Sequence, residues 1–131
     1  MTEPTYTITE LAREFDLTPR AIRYYEDQGL IAPQRAGVQR VYGKRDRTRL
    51  KLTLRGRRIG LSLAEIRELI DMYDTAPEST QLARLVEVLA ERRARLEQQR
   101  EDIDAVLEEI DTIGQQCRNL LEAQTTKRKR S

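Results

Sequence analysis

Histidine is absent from the 131 residues, cysteine occurs once and aromatic residues make up 5%. Without histidine, and with no plausible base for Cys117, acid–base and nucleophilic catalysis lack their usual groups. There is no Gly-rich phosphate loop and no nucleophile elbow, so enzymes are set aside and no cofactor is expected. A lone cysteine cannot form an internal disulfide, which fits a reducing compartment. No run of 18 or more apolar residues occurs, so no membrane span is expected. The N-terminus MTEPTYTITE is acidic and polar, unlike a secretory signal, and a cytoplasmic location follows as an expectation.

What is abundant is charge, at 35% of residues, a composition suited to long exposed helices. The small net charge of +2 hides an asymmetry. Residues 1–60 hold 13 Lys/Arg against 7 Asp/Glu, and residues 61–126 hold 7 against 15. The tail Lys127-Arg128-Lys129-Arg130 adds four more cations. A basic front on an acidic rear predicts that the front meets a polyanion.

Along the chain, Thr5-Tyr6-Thr7 is short and β-prone. Thr9 is expected to cap a helix over 10–15, with Leu11, Ala12 and Phe15 on one face. After a turn at Asp16-Leu17, Thr18 caps a second helix, Pro19 takes its first position, and Gly29 stops it. Two short helices joined by a tight turn predict a helix-turn-helix. Residues 33–42, turning at Ala36-Gly37, read as a small hairpin. A third helix is predicted over 46–58. Ser62 and Glu65 form a capping box for a fourth, with Ile66, Leu69, Ile70 and Tyr73 on one stripe.

Beyond Pro77 the pattern changes. Leu82, Leu89, Leu96, Ile103, Ile110 and Cys117 recur every seven residues. A second series holds Leu85, Val106, Ile113 and Leu120 but passes through Arg92 and Gln99. Two such seams predict a coiled coil over residues 78–113, with Leu82, Leu85, Leu89, Leu96, Ile103, Val106 and Ile110 as dimerisation residues. Gly114 is expected to bring fraying or a bend. One long helix cannot bury its stripe on a small domain, so it needs a partner helix.

The second helix carries Arg20, Arg23, Tyr24 and Asp27 on one face by their i+3 and i+4 spacing. Arginine can pair with guanine edges or grip phosphate, and a tyrosine hydroxyl can donate to phosphate. The plain alternative is a solvated helix. The hairpin beside it carries Arg35 and Arg40, followed by Lys44 and Arg45, as a wing on a phosphate backbone would. Most cations of the run Arg45–Arg58 are expected to be solvated. A rival from another class is a coiled-coil scaffold with an incidental basic end. A scaffold has no reason to concentrate cations on the helix-turn-helix.

YTITELAREFDLTPRAIRYYEDQGLI followed by QRVYGKRDRTRLKLTLRGRRIGLSLAEIRELIDMYD resembles the MerR family of bacterial transcription regulators over residues 5–74. The resemblance implies a mostly α fold with a β-hairpin wing: a winged helix-turn-helix domain at 1–74 and an antiparallel coiled-coil dimerisation helix at 75–124. Residues 125–131 would be a disordered basic tail. It implies DNA contacts at Thr18, Arg20, Arg23, Tyr24 and Tyr25 and, in the wing, at Arg40 and Tyr42, with Tyr42 also suited to packing under the wing. Expected partners are double-stranded DNA with a palindromic operator, a second copy of the chain and RNA polymerase. Metal-sensing members place cysteines beside and after the dimer helix. Here residues 75–82 have none, so no metal site is expected. A small non-metal effector is expected instead, acyl-CoA by similarity to short MerR-like regulators of fatty-acid and branched-chain amino-acid breakdown genes. Its pocket would lie near Met72, Tyr73, Leu82 and Leu85.

Overall fold

The computed structural model describes residues 3–130 and has the element order β1 (Thr5–Tyr6), α1 (Ile8–Phe15), α2 (Pro19–Asp27), β2 (Gln34–Ala36), β3 (Gln39–Gly43), α3 (Lys44–Arg58), α4 (Leu63–Thr75) and α5 (Glu78–Arg130). The chain divides into two compact units, Met1–Leu89 and Ala90–Ser131.

In the first unit, local sequence sets the helix ends. Thr7, not Thr9, caps α1: its hydroxyl accepts from Glu10 N–H and Glu10 reaches back to Thr7 N–H, both at 3.1 Å. The reciprocal pair satisfies two orphan donors, which Thr9 could not do alone. Asp16 turns left-handed at φ 54° and closes the helix. Thr18 Oγ1 accepts from Ala21 N–H at 3.1 Å to open α2. Gly29, at φ 79°, lets Leu30 N–H return to Tyr25 O at 3.0 Å. Ser62 and Glu65 form the predicted capping box of α4.

The expected hairpin is the outer part of a three-stranded antiparallel sheet of order β1-β3-β2, with Tyr6 opposite Tyr42 and Arg35 opposite Arg40. β1 adds a strand because Thr5-Tyr6 lies along the free edge of β3. Two core clusters follow. Leu11, Ala12, Ile22, Ile31, Tyr42 and Leu50 join α1, α2, β3 and α3. Leu30, Leu61, Ile66, Ile70 and Val88 join α4 to the first turns of α5, and Tyr25 packs against both clusters. Each fully buried aliphatic side chain contributes roughly 1.5–3 kcal/mol. Val88 extends the head domain past the expected boundary at residue 74, because α5 lays its opening turns on α4.

The second unit is helical from Ala90 to Arg130. Its apolar side chains Leu96, Ile103, Val106, Leu107, Ile110, Ile113, Leu120 and Leu121 are all exposed. The helix passes Gly114 without a break. A single glycine costs about 1 kcal/mol against alanine, too little to end a helix of good formers. The tail expected to be disordered is also helical from Thr125 to Arg130, where its cations complement the helix C-terminus. Ser131 lies outside the described residues. Among these residues no helix is long and apolar enough to cross a membrane.

Candidate nucleic-acid interface

One face of α2 is turned to solvent. Ile22 is wholly buried, which orients the helix, and Arg20, Arg23 and Tyr24 emerge on the other side. Neither Arg20 nor Arg23 makes an ion pair among the described residues. Asp27 is exposed at the end of the same helix. Thr18 is exposed too, its hydroxyl engaged as the cap acceptor but keeping its own proton to donate.

Several other cations of this unit are held in ion pairs. Arg40 Nε donates to Glu26 Oε2 at 2.8 Å, tying β3 to α2 through two partly buried side chains. Arg47 pairs with Glu14, one bond 2.9 Å long, and lies about 6 Å from the Tyr6 and Phe15 rings. That guanidinium holds the Glu14 carboxyl below the usual carboxylate range, and burial opposes the shift. Arg45 pairs with Asp74. Arg49 departs furthest from the expected solvated run. Its side chain is only 7% exposed and donates to Leu30 O, Asp71 and Asp74. Asp46 is buried as well, accepting from Ala32 N–H and Gly43 N–H at 3.0 Å each. Sequence reasoning missed Glu26, Asp46 and Arg49. Asp46 had a readable signal, as an acidic residue in the first turn of α3.

Tyr42, grouped above with the DNA contacts, is corrected to a core residue: it is 0% exposed in the first cluster. Its hydroxyl has no hydrogen-bond partner among the described residues, and burial, then the nearby Glu26 charge, push its pKa up. Tyr25 is half-buried, its ring centroid 5.8 Å from that of Tyr24. Of the three tyrosines, Tyr24 is exposed, Tyr25 half-buried and Tyr42 buried.

Away from α2, a groove of about 760 Å³ runs between α3, α4 and the first turns of α5. Ile59, Leu61, Leu69, Tyr73, Leu82, Leu85 and Leu89 are among the residues lining it. Met72, expected at this junction, is half-buried and does not line the groove.

A free basic helix face, braced by a small sheet through Glu26–Arg40, is a surface for a polyanion. The family model described as MerR HTH family regulatory protein matches residues 6–73, and a second, described as MerR, DNA binding, matches residues 47–113. The chain belongs to the MerR family. This MerR regulator is 30% identical over 114 residues to the HTH-type transcriptional regulator ZntR of Escherichia coli (strain K12), covering 86% of this chain and 80% of that one. It is 33% identical to a probable heavy metal-dependent transcriptional regulator of Haemophilus influenzae, covering 84% of this chain and 86% of that one. A crystal structure of a MerR-family transcriptional regulator from Bacillus cereus superposes with a TM-score of 0.64 at 27% identity, covering 82% and 78% of the two chains. The MerR chain is thus a DNA-binding transcription regulator and not an enzyme.

Proposed function

We propose that this MerR regulator acts as a homodimer joined through α5, each head reading one half of a palindromic operator. Arg20, near the start of α2, is assigned to base edges, where a guanidinium can bind guanine O6 and N7. Arg23, Tyr24 and the Thr18 hydroxyl are assigned to phosphates, and Arg40 to the backbone beside the wing. The observation that carries this reading is the face of α2: burial of Ile22 leaves Arg20, Arg23 and Tyr24 exposed together on the opposite side, and neither arginine makes an ion pair among the described residues. The chain would work on DNA in the bacterial cytoplasm, at promoters used by RNA polymerase.

Two heads at a fixed separation require the operator to bend or untwist, at roughly 1–6 kcal/mol for a smooth bend. An effector would change that geometry. The Haemophilus relative is named as heavy metal-dependent. The donor set here does not fit a soft metal: there is one cysteine, no histidine and, among the described residues, no group of three or more His, Cys, Asp or Glu placed to hold an ion. We therefore assign the effector to a small non-metal molecule, acyl-CoA being the class the family resemblance implies. Tyr73, at the end of α4 and on the wall of the groove, is its assigned contact.

Footprinting and binding titrations test the reading. Arg20→Ala should cost about 1–3 kcal/mol at one operator base pair and relax specificity there. Arg23→Ala should weaken operator and random DNA alike and flatten the salt dependence. Equal losses on both DNAs for both variants would overturn the assignment. Nuclease hypersensitivity at the operator centre is expected from distortion, and a flat footprint would exclude it.

A further inference from the structure

Four cations in a row, Lys127, Arg128, Lys129 and Arg130, close α5, and all four side chains are exposed. The helix before them has the opposite sign. Residues 101–124 hold seven Asp/Glu against one cation, Arg118. The charge therefore reverses abruptly over the last turn. Lys129 and Arg130 have only Thr125, Thr126 and Lys127 three and four residues before them, so no carboxylate stands there at the spacing of a helical ion pair. Neither makes an ion pair among the described residues. A helix C-terminus carries about half a negative charge, so four cations leave a surplus of about 3.5 positive charges. Side by side on one turn they repel one another, and a bound polyanion relieves that repulsion.

The residues around the run select the polyanion. Beyond Leu121 no side chain is aromatic, and Ala123 is the one apolar residue. Residues 122–130 thus offer no platform on which the bases of a single strand could stack. They offer no apolar face to sink into a bilayer. Successive residues turn by about 100° around a helix, so four consecutive cations cover most of its circumference instead of forming one stripe. A flat acidic protein surface would meet only part of such a ring, without apolar neighbours to fix a pose. Double-stranded DNA needs no such neighbours, since it carries one negative charge per about 1.7 Å of its axis. A MerR regulator bound at its operator also has duplex phosphates close by, at a high effective concentration.

We propose that Lys127, Arg128, Lys129 and Arg130 form a second DNA-binding element, which grips phosphates of the duplex without reading sequence. About half of the ring can face the duplex at once, so each chain gains about two phosphate contacts. The element raises affinity for operator and random DNA by the same factor, and specificity stays with α2. The inference rests on DNA binding by the family, and on neither the residue assignments within α2 nor the homodimer.

Binding titrations of the 131-residue chain over a range of salt concentrations test it. The probes are a mixed-sequence duplex and an operator duplex recovered by selection from a random library. Replacing all four cations with glutamine should weaken binding to both duplexes about tenfold or more at low salt, and should reduce the salt slope by about 2 per chain, about 0.9 for each phosphate lost. The ratio of the two affinities should not change. Lys127→Arg/Lys129→Arg keeps the charge and should keep both affinities. Two further variants separate contact from net charge and from any fraying of the helix end. Lys129→Gln/Arg130→Gln removes two cations from the run, and Arg100→Gln/Arg118→Gln removes two from elsewhere on α5. Only the first should reduce the slope, by about 1 per chain, and equal reductions would overturn the contact. A fourfold glutamine variant that binds both duplexes as the parent does would also overturn it. If that variant then failed only in transcription with polymerase, the run would serve an acidic protein surface instead. A loss confined to the operator would make the run a reader of sequence and overturn the proposal as well. In each case relaxed specificity of Arg20→Ala keeps the α2 reading standing, so the two fail separately.

Discussion

Replacing Arg49 with methionine removes a buried guanidinium and keeps most of its apolar stem. Arg49 Nε donates to Leu30 O, Nη2 to Asp71 at 2.9 Å, and Nη1 to Asp74 at 3.0 Å. One side chain thus links Leu30, two residues past the α2 cap Gln28, to α4. The cost differs by partner. Leu30 is 0% exposed, so its carbonyl would lose a charged donor inside the core, about 1–3 kcal/mol. Asp74 keeps Arg45 and Asp71 keeps solvent and Arg67, so neither carboxylate is stranded. The loss should therefore fall below the 3–5 kcal/mol typical of breaking a fully buried ion pair. We expect about 1–3 kcal/mol for Arg49→Met, and a smaller loss for Arg49→Lys, which restores the charge but not the planar fork. Urea unfolding reads this as a lower midpoint at unchanged slope, with protein concentration fixed because a dimer's stability depends on it. The same variant should weaken operator binding, since α2 loses its tie to α4. Stability within about 0.5 kcal/mol of the parent, the range of an inconsequential surface change, would refute this account of Arg49.

Tyr42→Phe should hold or raise stability at neutral pH by about 1 kcal/mol, because it removes a buried hydroxyl with no partner among the described residues. With its pKa raised above 10.0, Tyr42 contributes stability that is full below that value and lost as pH rises through and beyond it. Melts from pH 7 to 11 should show the alkaline decline lessened in the phenylalanine variant, and an unchanged decline would remove Tyr42 as a cause. Glu14 has the opposite sign. Its carboxyl is held below 4.5 by Arg47, so that contribution is present above pH 4.5 and fades as pH falls through the lowered value, and Glu14→Gln should flatten the acid limb of stability. Gly56→Ala would place a Cβ 2.8 Å from Ile66 Cγ1 at the α3–α4 contact. Overpacking costs about 1–3 kcal/mol and helix propensity returns about 1, so net destabilisation is expected and a stabilised variant would show that Ile66 yields.

Where a feature depends on a few neighbouring residues, it was legible in the chain. Thr18-Pro19 and Gly29 bound α2, Ser62 and Glu65 open α4, and the seven-residue repeat marks α5, because caps and periodicity are local physics. The spacing of Arg20, Arg23 and Tyr24 likewise placed them together on one helix face. Tertiary packing decided the rest. Arg49 looked like one cation among eight on α3. Its burial depends on Leu30 and on two aspartates more than twenty residues away, none of which a local pattern connects to it. Arg40 could be read as basic, but not as the partner of Glu26, fourteen residues earlier. The β-propensity of Thr5-Tyr6 became a strand only against the edge of β3. Val88, off both heptad series, became core only because α4 lies beside it. Long-range contacts choose which member of a chemically similar set is buried or paired. That choice made Tyr42 a core residue and left Arg20, Arg23 and Tyr24 at the surface.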